Sequence, residues 1–332
     1  VCRRFGRETF DRLVQPLVGG IYTSDPERLS LKATLPRFLA MEREHGSVIR
    51  ATLRANRLTG QGNQPAESGA RYGLFATHSD GLSSVVTSIV SALQASGRVR
   101  LHWNAGVDVI QRSSSPELEW LVKCDDRHKS SYHGLILTTP AWITARLLSN
   151  VDSILAAELQ AIEYASTAIV VSGHRLSDFE HPLNAFGLVV PSIENRRILA
   201  ISFSSRKFSG RAPEGHVLVR TFVGGATQPE LLDLSDEQIF ELVASEQRQL
   251  LGMAQDPQFA SIWRHERAMP QYHVGHLDRV SAVEERMLTH AGLELAGNAY
   301  RGVGIPDCIS SGYSAADRAA LFATRWNCSG SR

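Results

Sequence analysis

Near the start of the chain Phe5, Phe10, Leu13, Val14, Leu17 and Val18 recur at helical spacing with polar residues between them. Apolar side chains three and four positions apart share one face of a helix. The pattern therefore predicts helix over residues 3–55. Breaks are expected at Pro16, at Gly19-Gly20 and around Asp25-Pro26, where donors are lost or chain freedom rises. Residues 56–72, NRLTGQGNQPAESGARY, are too polar to feed a core and read as a loop. After Asp80-Gly81, the stripe Leu82, Val85, Val86, Ile89, Val90 and Leu93 predicts an amphipathic helix with one buried face.

The apolar runs then shorten to strand length. Strands are expected at Val99–His102, Val107–Gln111, Trp120–Cys124 and Leu135–Thr138, and Pro140 opens a short helix to Leu148. Residues 164–225 are strand-rich, with Ala168–Ser172, Phe186–Val190, Ile198–Phe203 and Val217–Phe222 as the strands. Pro229 to Leu251 reads as helix, with Ser235 and Gln238 at capping-box spacing. A strand at Phe259–His265 precedes the irregular stretch MPQYHVGHL, and a strand, a glycine turn and a helix from Asp307 to Trp326 close the chain. Helices alternating with mixed strands place the fold in the α+β or α/β class, with two intertwined lobes.

Composition narrows the function more than the fold. At 332 residues, 43% hydrophobic and 21% charged, the chain can bury a sizeable core. A net charge of +1 argues against a nucleic-acid surface. Cys2, Cys124, Cys308 and Cys328 are too scattered for a zinc ribbon or a disulfide framework and fit a reducing compartment. No apolar run reaches the ~18 residues of a spanning helix, which leaves peripheral membrane contact open. The opening VCRRFGRETF has no initiating methionine and no signal peptide, and it starts inside a helical pattern. More protein is expected upstream.

Twelve histidines invite a metal reading, but no H-E-x-x-H or similar spacing occurs, and His265, His273 and His276 fall in an expected loop. No metal site is expected. There is no nucleophile elbow. Cys308, just before a helix start, is either a thiol of lowered pKa or a small buried hydrophobe. SSRKFSGRAPEG (204–215) is either an anion site or a solvated hairpin turn. The run AGNAYRGVGIPDCISSG (296–312) is more specific. Its glycines allow positive φ and close backbone approach to a flat ligand. Asp307 can N-cap the following helix, whose first free N–H groups favour negative charge: a phosphate, or a ring that becomes anionic on reduction.

The segment LELAGNAYRGVGIPDCISSGYSAADRAA (293–320) resembles the C-terminal flavin signature of the protoporphyrinogen oxidase family, among the amine-oxidase-like FAD enzymes. Residues 3–38, FGLVVPSIENRRILAISFSSRKFSGRAP (186–213), TFVGG (221–225) and MPQYHVGHL (269–277) resemble further family segments in the same order. The family's leading βαβ unit with G-x-G-x-x-G, which holds the FAD pyrophosphate, has no counterpart in these residues. The chain thus resembles the C-terminal two-thirds of a member.

The resemblance implies an incomplete, p-hydroxybenzoate-hydroxylase-like FAD-binding domain intertwined with a strand-rich substrate domain and a helical lobe. The expected boundaries are 1–72 for the helical membrane and substrate lobe, 73–150 for part of the FAD domain, 151–270 for the substrate domain and 271–332 for the rest of the FAD domain. FAD is the implied cofactor, contacted by Val107, Leu277, Asn298, Val303, Gly304 and Ile305. Gly187, Val189 and Phe222 would wall the substrate pocket. The implied reaction is FAD- and oxygen-dependent oxidation of protoporphyrinogen IX to protoporphyrin IX, without a catalytic acid or base that stands out. Coproporphyrinogen III oxidation and a non-catalytic truncated remnant are the alternatives. A bacterial, cytoplasmic, peripherally membrane-associated protein is implied, and a homodimer is left open.

Overall fold

The computed structural model describes residues 2–58, 76–113, 120–124 and 128–329. Its first stretch is helical, as the periodicity predicts. α1 (Cys2–Phe5) and α2 (Arg7–Thr9) lead through a π-turn at Phe10–Val14 into α3 (Gln15–Tyr22), and α4 (Leu31–Thr34) follows. Neither Pro16 nor Gly19-Gly20 breaks the chain; all three lie inside α3. Pro16 has no N–H for an ordinary helical bond, and the turn before it closes with a wider bond, Gln15 N–H donating to the Phe10 carbonyl. The helix ends instead at Thr23, which adopts a left-handed conformation.

The chain divides into two compact units, Leu35–Gly106 and Val1–Thr34 with Val107–Arg332. The smaller holds α5 (Pro36–His45), α6 (Val48–Leu58) and α7 (Ser83–Ala95). The loop expected at 56–72 lies, beyond the end of α6, outside the described residues. The helix expected after Gly81 forms as α7, but its apolar face is not buried: Val86 is 63% and Ile89 54% exposed. The stripe is present, and no apolar surface among the described residues covers it. Val99–His102 forms no strand.

The second segment of the larger unit opens with an antiparallel sheet of β1 (Val107–Arg112), β2 (Trp120–Cys124) and β3 (His128–Tyr132). β4 (Leu135–Leu137), α8 (Ala141–Leu148) and α9 (Ser153–Gln160) follow. Then come β5 (Tyr164–Arg175), β6 (Gly187–Val189), β7 (Ala200–Phe203), α10 (Ser204–Lys207), β8 (His216–Gly224), α11 (Asp236–Leu251) and β9 (Phe259–Pro270). α12 (His276–Met287), β10 (Leu293–Leu295) and α13 (Ile305–Ser329) complete it. β3, α9 and α12 were not expected from the sequence pattern. SSRKFSGRAPEG is the connection of β7 to β8, its first turn wound as α10.

Two cores hold this unit. Strands β6-β7-β8-β5-β9 form one antiparallel sheet in that order. Val170, Ile201, Val219 and Val223 on one face pack with Ile239, Leu242 and Val243 of α11, all buried. The capping box predicted for α11 forms: Ser235 Oγ accepts from Gln238 N–H, and Gln238 Oε1 accepts from Ser235 N–H. The second core joins Trp120, Leu137, Leu148, Leu155, Val280 and Leu293. Asp152 seals it, capping α9 through Ile154 and Leu155 N–H while accepting from Arg286 at 2.5 Å and His290 at 2.7 Å. Burial raises this carboxyl's pKa, but the Arg286 and His290 hydrogen bonds outweigh it and hold the group well below the carboxylate range. Among the described residues no helix is long and apolar enough to cross a membrane.

Candidate functional site

β10 runs parallel to β4, Leu293 to Leu295 beside Leu135 to Leu137, and the glycine turn leaves from its carboxyl end. Ligands of α/β sheets gather at such ends, where the next helix presents its free N–H groups. Gly297 holds φ +120 and donates its N–H to Ser311 Oγ at 3.0 Å. Tyr272 then pins the turn from beneath. Its hydroxyl accepts from Gly302 N–H at 2.8 Å and donates to the Asn298 carbonyl at 2.7 Å. His276 stacks on the Tyr272 ring, centroids 4.0 Å apart, and its Nε2 donates to the Tyr300 carbonyl at 2.8 Å. Burial pushes the Tyr272 hydroxyl pKa up and the His276 pKa down, so both are neutral partners.

Asp307 does not precede the helix as its cap. α13 starts at Ile305, and Asp307, in its first turn, reaches back to Gly304 N–H at 3.3 Å. This is the backward half of a capping box. A Cβ on Gly302 would stand 2.4 Å from Asp307 Cγ, so the glycine makes room for the carboxylate. Cys308 follows on the same turn. Burial and then Asp307 raise its thiol pKa, which removes the activated-thiol reading.

The turn fits the ring end of a flavin on its own geometry. Pro306 has no N–H, and the N–H groups of Ile305 and Asp307 have no acceptor among the described residues, so they are free for a delocalised anion. The half-buried Asn298 side-chain amide is likewise without a partner among them. Of the expected cofactor residues, Asn298, Val303, Gly304 and Ile305 share this one turn. Leu277 follows His276, whose ring ties the start of α12 to Tyr300. Val107 stands apart at the start of β1, joined to the turn's neighbours Ala299 and Tyr300 through the second core. Tyr272 went unremarked in the sequence, where only its place in MPQYHVGHL marked it. Of the three histidines expected in a loop, His265 lies in β9 and His276 opens α12.

The pairing of the five-stranded sheet brings the expected substrate residues together. Val189, Ala200, Phe222, Ile169 and Trp263 are lateral neighbours on five adjacent strands. Four inter-strand gaps of ~4.8 Å make this apolar row about 19 Å long. Gly187, Ser202, Arg220, Val171 and Ser261 form the next row on the same face. Alternation sends Thr221 and Val223 into the core and leaves this face open, with Trp263 63% exposed. Gly187 belongs where it is: at φ +151, a Cβ would stand 2.2 Å from the Ile201 carbonyl oxygen. Beyond the Thr167–His265 pair lies a polar cleft of about 480 Å³ lined by Arg28, Glu163, Arg267, Gln271 and His273. There Arg28 pairs with Glu163 at 2.8 Å, and Arg267 lies 4.3 Å over Trp142.

The family model described as flavin containing amine oxidoreductase matches residues 2–320. The chain is 30% identical over 321 residues to a protein named coproporphyrinogen III oxidase from Bacillus subtilis (strain 168), covering 96% of this chain and 66% of that one. It is 28% identical over 351 residues to protoporphyrinogen oxidase 1, chloroplastic, of Spinacia oleracea, covering 98% and 60%. A crystal structure of a provisionally named protoporphyrinogen oxidase from Exiguobacterium sp. 255-15 superposes with a TM-score of 0.79 at 27% identity, over 98% of this chain and 65% of that one. Cyclohexylamine oxidase from Brevibacterium oxydans IH-35A, 15% identical over 95% of this chain and 64% of that one with a TM-score of 0.60, shares the fold. The chain spans about two thirds of the length of the curated relatives it matches.

Proposed function

This chain belongs to the flavin containing amine oxidoreductase family, and we propose that it carries the flavin-ring and substrate parts of an FAD- and oxygen-dependent porphyrinogen oxidase of tetrapyrrole biosynthesis. The observation that carries the reading is the open apolar row from Val189 to Trp263, in a chain whose relatives bear porphyrinogen oxidase names. A porphyrinogen is a broad, flexible, largely apolar macrocycle with carboxylates at its edge, and it calls for such a floor.

Bound FAD supplies the redox chemistry, removal of a hydride equivalent from a substrate carbon. One porphyrinogen and three dioxygen give one porphyrin and three hydrogen peroxide. The chain's own residues position the reactants. Val303, Gly304 and Ile305 would hold the ring, and the N–H groups of Ile305 and Asp307, free among the described residues, would favour negative charge at its edge. Tyr272 and His276 hold that turn in one conformation. Gly187, Val189 and Phe222 would floor the pocket beneath the macrocycle. No protein acid or base is assigned a proton.

Protoporphyrinogen IX is the substrate of this reading. The match to the Bacillus subtilis protein favours coproporphyrinogen III as the second. Supplying the flavin-loaded protein with each in air, and following porphyrin fluorescence, separates them. Failure to oxidise either would refute the proposal. The helical stretch presents Leu13, Leu17 and Ile21 at four-residue spacing, 54%, 46% and 64% exposed, which supports peripheral membrane contact. Co-sedimentation with lipid vesicles is the check: L17E with I21E should leave the protein in the supernatant, and undiminished pelleting would argue against that face.

A further inference from the structure

The three central rows of the open sheet face, from Gly187 to His265, carry one permanent charge, Arg220. Its side chain is half-buried, its guanidinium 5.3 Å over the Phe222 ring. Its lateral neighbours are Ser202 and Val171, and no carboxylate pairs with it among the described residues. Other arginines of the same unit have their carboxylates: Arg196 meets Glu246 at 2.9 Å, Arg264 meets Asp236 at 2.7 Å, and Arg279 meets Glu158 at 2.7 Å. A partly desolvated cation on an apolar floor costs solvation energy that a counter-charge would offset. The described residues supply none.

We propose that the counter-charge arrives with the substrate: Arg220 binds a carboxylate of the macrocycle seated on the row from Val189 to Trp263. A guanidinium suits this task because its planar fork meets a carboxylate through two hydrogen bonds, whereas an ammonium meets it as a point charge. Phe222 has a double part, walling the pocket with its face and holding the guanidinium plane above it. The Ser202 hydroxyl, next in the row, is a second donor at the same edge. The proposal rests on the porphyrinogen reading above.

The test compares wild type, R220M and R220K as flavin-loaded proteins, with protoporphyrinogen IX, coproporphyrinogen III and their methyl esters. For the free acids, R220M should raise KM by about 10- to 100-fold, the loss of one charged hydrogen-bonded contact, with a far smaller change in kcat. R220K should recover part of the loss. With the esters, wild type and R220M should agree within about twofold, because no carboxylate remains to be bound. Affinity for the product porphyrin, read from its fluorescence without turnover, should weaken in the same proportion. An unchanged KM for the free acids, or an equal loss with the esters, overturns the assignment of Arg220 alone. A wild type that oxidises neither porphyrinogen refutes the functional reading itself, and the assignment with it.

Discussion

Tyr272 is one side chain on which the order of the flavin turn depends. One hydroxyl satisfies the Gly302 N–H and the Asn298 carbonyl, and the ring is 1% exposed between them and His276. Y272F keeps the packing and removes both bonds, leaving the half-buried Gly302 N–H and Asn298 carbonyl unpaired at a cost of about 1–3 kcal/mol. The expected outcome is a flavin dissociation constant raised about tenfold, with a smaller loss of thermal stability. Flavin fluorescence on dilution measures it. Retention of flavin as in wild type would mean that the turn is held by its own backbone. The glycine run that Tyr272 serves was legible from the sequence, because glycine spacing is local. Tyr272 itself was not, because its partners lie 26 and 30 residues away.

Among the elements, strands and capped helices were read well where local chemistry decides them. β2 and the α11 cap have the predicted residues, since alternation and Ser-x-x-Gln spacing act within one element. α9 and α12 were missed: α9 is capped by Asp152, whose carboxylate is held by Arg286 and His290 from 134 and 138 residues away. The seam of β5, β8 and α11 offers an element-level prediction. His174 is fully buried there, its Nε2 2.8 Å from Ser172 Oγ, while Gln247 donates to Thr221 Oγ1 and Ser172 Oγ. The His174 Nδ1 has no partner among the described residues, and burial pushes the imidazole pKa from 6.5 down to about 4. Between these values the unfolded chain takes up a proton that the folded one refuses. Stability is therefore full above about pH 6.5 and falls as pH drops towards 4, by about 3 kcal/mol in all. Thermal melting of wild type and H174Q across this range should show a shallower acid decline in the variant. Parallel curves would place the acid sensitivity elsewhere.

For the molecule as a whole, the order of elements and the family resemblance foretold a flavin enzyme fold. Pairing register supplied what the sequence could not. Gly187, Val189 and Phe222 were expected to wall one pocket, but only the sheet order shows that Val189 and Phe222 lie in one row with Ala200 between them. Arg220, two residues before Phe222, carried no signal at all, because an unpaired charge is defined by what surrounds it. The α7 stripe is the converse: the sequence announced an apolar face, and only the structure leaves it open. The central claim is that a porphyrinogen on this sheet face reduces the flavin held by this turn. Anaerobic mixing of the flavin-loaded protein with excess protoporphyrinogen IX or coproporphyrinogen III measures that transfer directly. Bleaching of the flavin's visible absorbance, reversed by air as porphyrin fluorescence appears, is the predicted result; a flavin that keeps its colour in excess of both porphyrinogens would contradict the account.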